Sequence, residues 1–194
     1  MRFLLKGDQH IITQIKDNGL SYEHQKSSLR KLLLLEQKNF CAYTEWYFEE
    51  TASPEIEHFD NRKKGTLQDG YHNWYVVKRW SNAHKPDISN YLPIMEPSNE
   101  AVFTKIEYSG NQFIVKDKTD SDYLKLDNLL KLIGCNKIEV AIDRQNHIDK
   151  LKTIMELYET KEDFKNNYLR NNKHDLSFIT ALQHELDLDL TDLI

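Results

Sequence analysis

"IEHFDNR" at residues 56–62 and "HNWYVVKRWSNAHK" at residues 72–85 are the stretches on which the reading of this chain turns. Glu57-His58 sits between Ile56 and Phe59, an acid and an imidazole between two apolar anchors in a chain otherwise full of exposed charge. Residues 56–59 suit one short strand, and the β-branched and aromatic "NWYVV" at 73–77 suits a second. The polar stretch 61–73 between them carries Gly65 and Gly70 and reads as a loop. "SNAHKPD" then opens a short helix capped by Ser81, with Pro86 obstructing its second turn.

Outward from this centre the elements follow from periodicity. Residues 21–39 are expected to form a helix capped by Ser21, with Leu29, Leu32, Leu33 and Leu35 on its apolar face. "FCAYTEWYFEE" at 40–50 suits strands or a packed turn. "AVFTKIEY" at 101–108 and "QFIVKD" at 112–117 read as a hairpin about Ser109-Gly110-Asn111, where glycine supplies the positive φ of a tight turn. From Ser121 the pattern is helical to the end. Leu126, Leu129, Leu130 and Ile133 form a stripe stopped by Gly134. Asn136 is expected to cap the next helix, Thr160 and Asp163 resemble a capping box, and residues 175–190 make a last amphipathic helix. The expected fold class is α+β, with a mixed part over 1–117 and a helical annex over 118–194 in one compact unit.

Composition bounds what such a chain can do. Its 194 residues suffice for one domain with a real core, and 39% hydrophobic with 29% charged residues is ordinary for a globular protein. No apolar run approaches the roughly 18 residues of a membrane span, so no membrane association is expected. "MRFLLKGDQH" turns polar too quickly for a secretory signal, and a cytoplasmic location is expected. Cys41 and Cys135 alone cannot build a four-cysteine zinc site. The net charge of −5 resides entirely in the tail after Lys173, which holds Asp175, Glu185, Asp187, Asp189 and Asp192 and no Lys or Arg. Residues 1–173 are balanced, and "NRKK" at 61–64 and "KRWSNAHK" at 78–85 offer local basic surface for phosphates.

The order Glu57, His58, Asn73, Asn82, Lys85 resembles the HNH (ββα-metal) nucleases paired with an ATPase in Septu-type antiphage defence and some retron systems. Leu34, Leu35, Gln37 and Cys41-Ala42-Tyr43 match the family's first element, and Ile56-Glu57-His58-Phe59 its second. Asn73 matches its middle asparagine, and Asn82 with Lys85 its closing motif. "LPIMEPSNE" at 92–100 and "LDNLLKLIGCNKIEVAIDR" at 126–144 extend the likeness over most of residues 1–150. The departure is the zinc knuckle: only Cys41 of its four cysteines is present, with Thr44, Lys78 and Ser81 at the other positions. No structural zinc is expected, and Cys41 reads as a small buried residue.

The resemblance implies a ββα-metal core without a zinc knuckle, flanked by an N-terminal helix and a C-terminal helical bundle. It implies a Mg²⁺- or Mn²⁺-dependent endonuclease that hydrolyses the phosphodiester bonds of DNA or RNA, the effector of a complex with an ABC/SMC-like ATPase. Glu57 and Asn82 would hold the metal, His58 would be the general base, and Asn73 would orient the loop and the imidazole. Lys78, Arg79 and Lys85 are candidate phosphate contacts. Trp80 is the tryptophan expected to face nucleic acid, whereas Trp46 and Trp74 read as core. The alternative is a catalytically degenerate HNH fold that binds nucleic acid or scaffolds a partner.

Overall fold

The computed structural model describes residues 2–50 and 52–194. The architecture is α+β, with two separate two-stranded antiparallel sheets among the described residues. Helix α1 (Gln9–Asp17) begins where the Asp8 carboxylate accepts from the His10 and Ile11 amides, and it buries Ile11 and Ile15. Helix α2 (Lys26–Glu36) buries Leu29 and Leu33. It starts five residues later than the sequence suggests, because Gln25 takes a left-handed conformation (φ 55°) that no helix continues through. Ser21, expected as its cap, instead accepts from the His24 amide and closes a turn ahead of the helix.

Strand β1 (Glu55–His58) pairs antiparallel with β2 (Trp74–Val77), Glu55 opposite Val77 and His58 opposite Trp74. The sheet is completed from an unexpected direction. The Gln37 side chain accepts from Val76 N at 2.9 Å and donates to Val76 O at 2.8 Å, and Ala42 N donates to the same carbonyl at 3.0 Å. A side-chain amide thus does for β2 what a third strand would do, so all four β2 residues can be buried. Helix α3 (Arg79–Ala83) follows directly and ends before Pro86. It begins at Arg79, not Ser81; Ser81 lies inside the helix and is buried.

"AVFTK", β-rich in composition, is largely the short helix α4 (Glu100–Thr104), capped by Asn99, whose side chain accepts from the Ala101 amide. The hairpin itself is β3 (Ile106–Ser109) and β4 (Gln112–Val115), and Gly110 (φ 56°) and Asn111 (φ 60°) form its two-residue turn. Helix α5 (Tyr123–Ile133) stops at Gly134, left-handed at φ 67°. Helix α6 (Ile138–Met155) is preceded by Lys137; Asn136, expected as its cap, instead brackets Phe113 N and O at 2.9 and 2.8 Å and anchors β4. Helix α7 (Lys161–Asn167) carries the Thr160–Asp163 cap, and α8 (Ile179–Leu186) is the last α-helix among the described residues, shorter than the 175–190 pattern. The fully buried Arg144 on α6 pins the hairpin turn through Asn111 O (2.6 Å) and Asn111 Oδ1 (3.0 Å).

Candidate functional site

The loop joining β1 to β2 is clipped shut by one side chain. Asn73 Oδ1 accepts from Asp60 N at 2.8 Å, while Nδ2 donates to Asp60 O at 3.1 Å and to Asp69 Oδ1 at 3.2 Å. Phe59 N donates to Asn73 O at 2.8 Å, so the ladder runs one residue past β1. Asparagine suits the position because its amide matches a peptide's donor and acceptor in one plane. The clip fixes the geometry of His58, which ends β1.

His58 is 7% exposed, and its Nε2 lies 3.0 Å from Asp69 Oδ2. A carboxylate only accepts, so Nε2 carries the proton and the Nδ1 lone pair is the basic atom. Asp69 also accepts from Trp74 Nε1 at 2.8 Å, which makes it the hub of the loop. Burial lowers the His58 pKa below its ordinary value; Asp69 opposes the shift, while Lys64 and Lys85 add to it. The imidazole is therefore neutral at pH 7, the form a base needs. Tyr22 packs edge-on against the ring at 4.3 Å, and the exposed Lys26 and Lys64 lie 3.9 and 5.1 Å from the Tyr22 ring centre. A small positive rim thus stands beside His58.

Glu57 faces the other way, as the alternation of a strand requires. It is 5% exposed, accepts from the Tyr43 hydroxyl on Oε2, and is paired on Oε1 with the Lys85 ammonium. Lys85 Nζ also donates to the carbonyls of His58 and Phe59, each at 2.6 Å. Burial raises the Glu57 pKa, and Lys85 and Tyr43 work against it. Asn82 does not join this cluster: its Nδ2 donates at 2.7 Å to Glu55, one pleat further along β1.

These contacts test whether the residues suit a divalent cation. Three oxygens of Glu57, His58 and Phe59 converge on one point, which is hard-ligand chemistry. That point holds the Lys85 ammonium, and Asn82 is turned to a different carboxylate. The set Glu57 plus Asn82 does not fit a metal as it stands. Among the described residues, no group of three or more His, Cys, Asp or Glu side chains could hold a metal ion.

The expected phosphate contacts scatter. Lys85 is interior, with a side chain 7% exposed. Arg79 is 84% exposed at its side chain and lies 3.6 Å from Glu55. Lys78 is half-buried with its ammonium 3.6 Å above the Trp46 ring, and Trp80 stacks on His84 at 4.5 Å. Cys41 is buried, and its Sγ accepts from Lys78 N at 3.4 Å. Asp69 carries no mark in the sequence that singles it out, and Tyr43 stands out only as part of Cys41-Ala42-Tyr43, with nothing that points to its bond with Glu57. The "QDG" at 68–70 reads as turn chemistry, and the carboxylate reaches back to His58, 11 positions earlier in the chain.

Comparison with protein-family models, with curated proteins and with solved structures gave no match. No helix among the described residues is long and apolar enough to cross a membrane.

Proposed function

We propose that this chain hydrolyses phosphodiester bonds of nucleic acid, DNA or RNA, with a ββα core of the HNH type, and serves as the effector of an ATPase-paired antiphage defence complex. The observation that carries the chemistry is the His58–Asp69 pair held by the Asn73 clip. A neutral imidazole, its tautomer set by a carboxylate and its strand end fixed, is an oriented general base. His58 Nδ1 takes a proton from water as the water oxygen bonds to phosphorus; the opposite ester P–O bond breaks, and the leaving oxygen is protonated from solvent. Lys26 and Lys64 favour an anionic backbone on this side. The antiphage role and the ATPase partner rest on the sequence resemblance alone.

The Lys85–Glu57 pair favours a second reading, a degenerate HNH fold that binds nucleic acid or scaffolds a partner, because a resident ammonium already occupies the oxygens of Glu57, His58 and Phe59 that would suit a hard cation. Cleavage of supercoiled plasmid and of bulk tRNA separates the two. It is run with Mg²⁺ and with chelator, with and without the neighbouring gene's product, for wild type and His58→Ala. Cleavage abolished by the substitution supports the nuclease. Intact substrate under every condition, with folded protein, leaves the scaffold.

A further inference from the structure

Beyond the far end of the β1–β2 hairpin from His58, a cavity of about 200 Å³ opens between the 41–46 turn, the start of α3 and the first turns of α6. Trp46, Trp80 and Phe178 wall it. Thr44 and Ser81 line it, and their hydroxyls, buried at its wall, have no hydrogen-bond partner among the described residues. Thr44 is 3% and Ser81 5% exposed. An unpaired buried hydroxyl is unfavourable, so two at the wall of one small cavity point to a polar partner that arrives from outside. Lys78 supplies one positive charge, and Glu139 and Asp143 supply two carboxylates.

We infer that this cavity binds a single nucleobase, with guanine the preferred one. Its volume falls below the roughly 300–1,000 Å³ of drug-sized sites and suits one ring system. Indole walls favour a flat π-face over an aliphatic chain. Trp80 is already fixed, since His84 stacks on it at 4.5 Å and returns Nδ1 to Trp80 O at 2.8 Å. A wholly apolar ring would leave the two hydroxyls unpaired, and a phosphate would meet the carboxylates of Glu139 and Asp143 at the wall. A base edge carries both donors and acceptors. Guanine places N1–H and N2–H side by side for a carboxylate such as Asp143, next to an O6 acceptor for an ammonium such as Lys78. Thr44 and Ser81, which each donate or accept, serve the remaining edge atoms.

The inference deepens the nucleic-acid reading: a base extruded from a single strand would dock here while the backbone continues toward His58. Val77 and Trp74, opposite Glu55 and His58, are three residues apart, roughly 10 Å of strand. Extrusion is least costly from single strands, so such substrates are preferred.

The test needs no cleavage, so it can fail independently of the nuclease reading. Full-length His58→Ala protein without added metal is titrated with GMP, AMP, CMP and UMP, following the indole N–H resonances. GMP should shift the Trp46 and Trp80 signals with at least tenfold higher affinity than AMP. Asp143→Asn, at an exposed position that leaves the fold intact, should remove that preference. Equal response to all four nucleotides, no response at millimolar concentration, a GMP preference surviving in Asp143→Asn, or a response to free arginine but not GMP would each overturn the assignment.

Discussion

The Lys85 ammonium is bound simultaneously by the Glu57 carboxylate and by the backbone carbonyls of His58 and Phe59, so α3's trailing loop is tied to the end of β1 by a buried cation. The pair is interior, with side chains 7% and 5% exposed, and removing one partner leaves an uncompensated charge.

Lys85→Met should therefore lower unfolding free energy by about 3–5 kcal/mol in urea titration, and the double variant with Glu57→Gln should recover a substantial part of that loss. The same substitution empties a cradle of three oxygens. Millimolar Mg²⁺ should then raise the melting temperature of Lys85→Met and leave the wild-type value unmoved. A wild-type protein stabilised by Mg²⁺ to the same degree would show that Lys85 does not occupy the cation position.

His58 makes stability and base strength depend on pH in the same direction. Its folded pKa is lowered by burial, so between the unfolded value near 6.5 and that lower folded value the unfolded chain binds the extra proton. Stability contributed by neutral His58 is full above about pH 6.5 and declines as pH falls through this window. Any cleavage should keep its full rate at pH 7 and lose it only below pH 6.5. Following the His58 ring carbons by NMR gives the titration directly. A midpoint above 6.5 would mean that Asp69 outweighs burial.

Asn73→Ala removes all three side-chain hydrogen bonds of the loop clip and leaves Asp60 N without its acceptor. A destabilisation of about 2–3 kcal/mol is expected, with faster amide exchange confined first to residues 60–73. Asn73→Asp keeps the acceptor but sets a carboxylate against Asp69, and it should be the more damaging of the two for His58 orientation. Amide exchange that stays protected at Asp60 in Asn73→Ala would show that the loop does not depend on this clip.

What was legible in the sequence was local. The two strands around His58 and Asn73, the Gly110-Asn111 turn, the Gly134 stop and the Thr160 cap each depend on a few neighbouring residues, and all are present. Helix α1 has little signature in the sequence because it buries only Ile11 and Ile15, too few for a stripe. Helix α4 lay hidden in β-branched residues, where the Asn99 cap outweighed propensity. The site's second layer was hidden for a different reason. Gln37 on Val76, Asp69 on His58, Asn82 on Glu55 and Asn136 on Phe113 are contacts between side chains and distant groups, and polar residues in loops advertise several partners equally well. Asn82 had two carboxylates within one strand face to choose from, and spacing alone does not distinguish Glu55 from Glu57.

Glu45 gives the last prediction, because it joins the turn lining the base cavity to the C-terminal helix. It is fully buried and left-handed at φ 58°. Its carboxylate accepts from Thr180 N at 2.9 Å, Thr180 Oγ1 at 2.8 Å and Arg2 N at 3.1 Å, and its carbonyl accepts from Phe178 N at 2.7 Å. Glu45→Ala strands at least three buried or half-buried donors and should destabilise the protein by about 3 kcal/mol or more. Because Phe178 walls the cavity, the loss should also weaken the Trp46–Phe178 edge contact, now 5.5 Å between ring centres. Glu45→Gln retains one acceptor oxygen and should fall between the two. Hydrogen exchange of the Thr180 amide against that of Tyr75 in the central strand resolves the order of events: early opening at Thr180 with Tyr75 protected means α8 detaches first. Simultaneous opening of both means the acidic tail and the His58 core unfold as one cooperative unit.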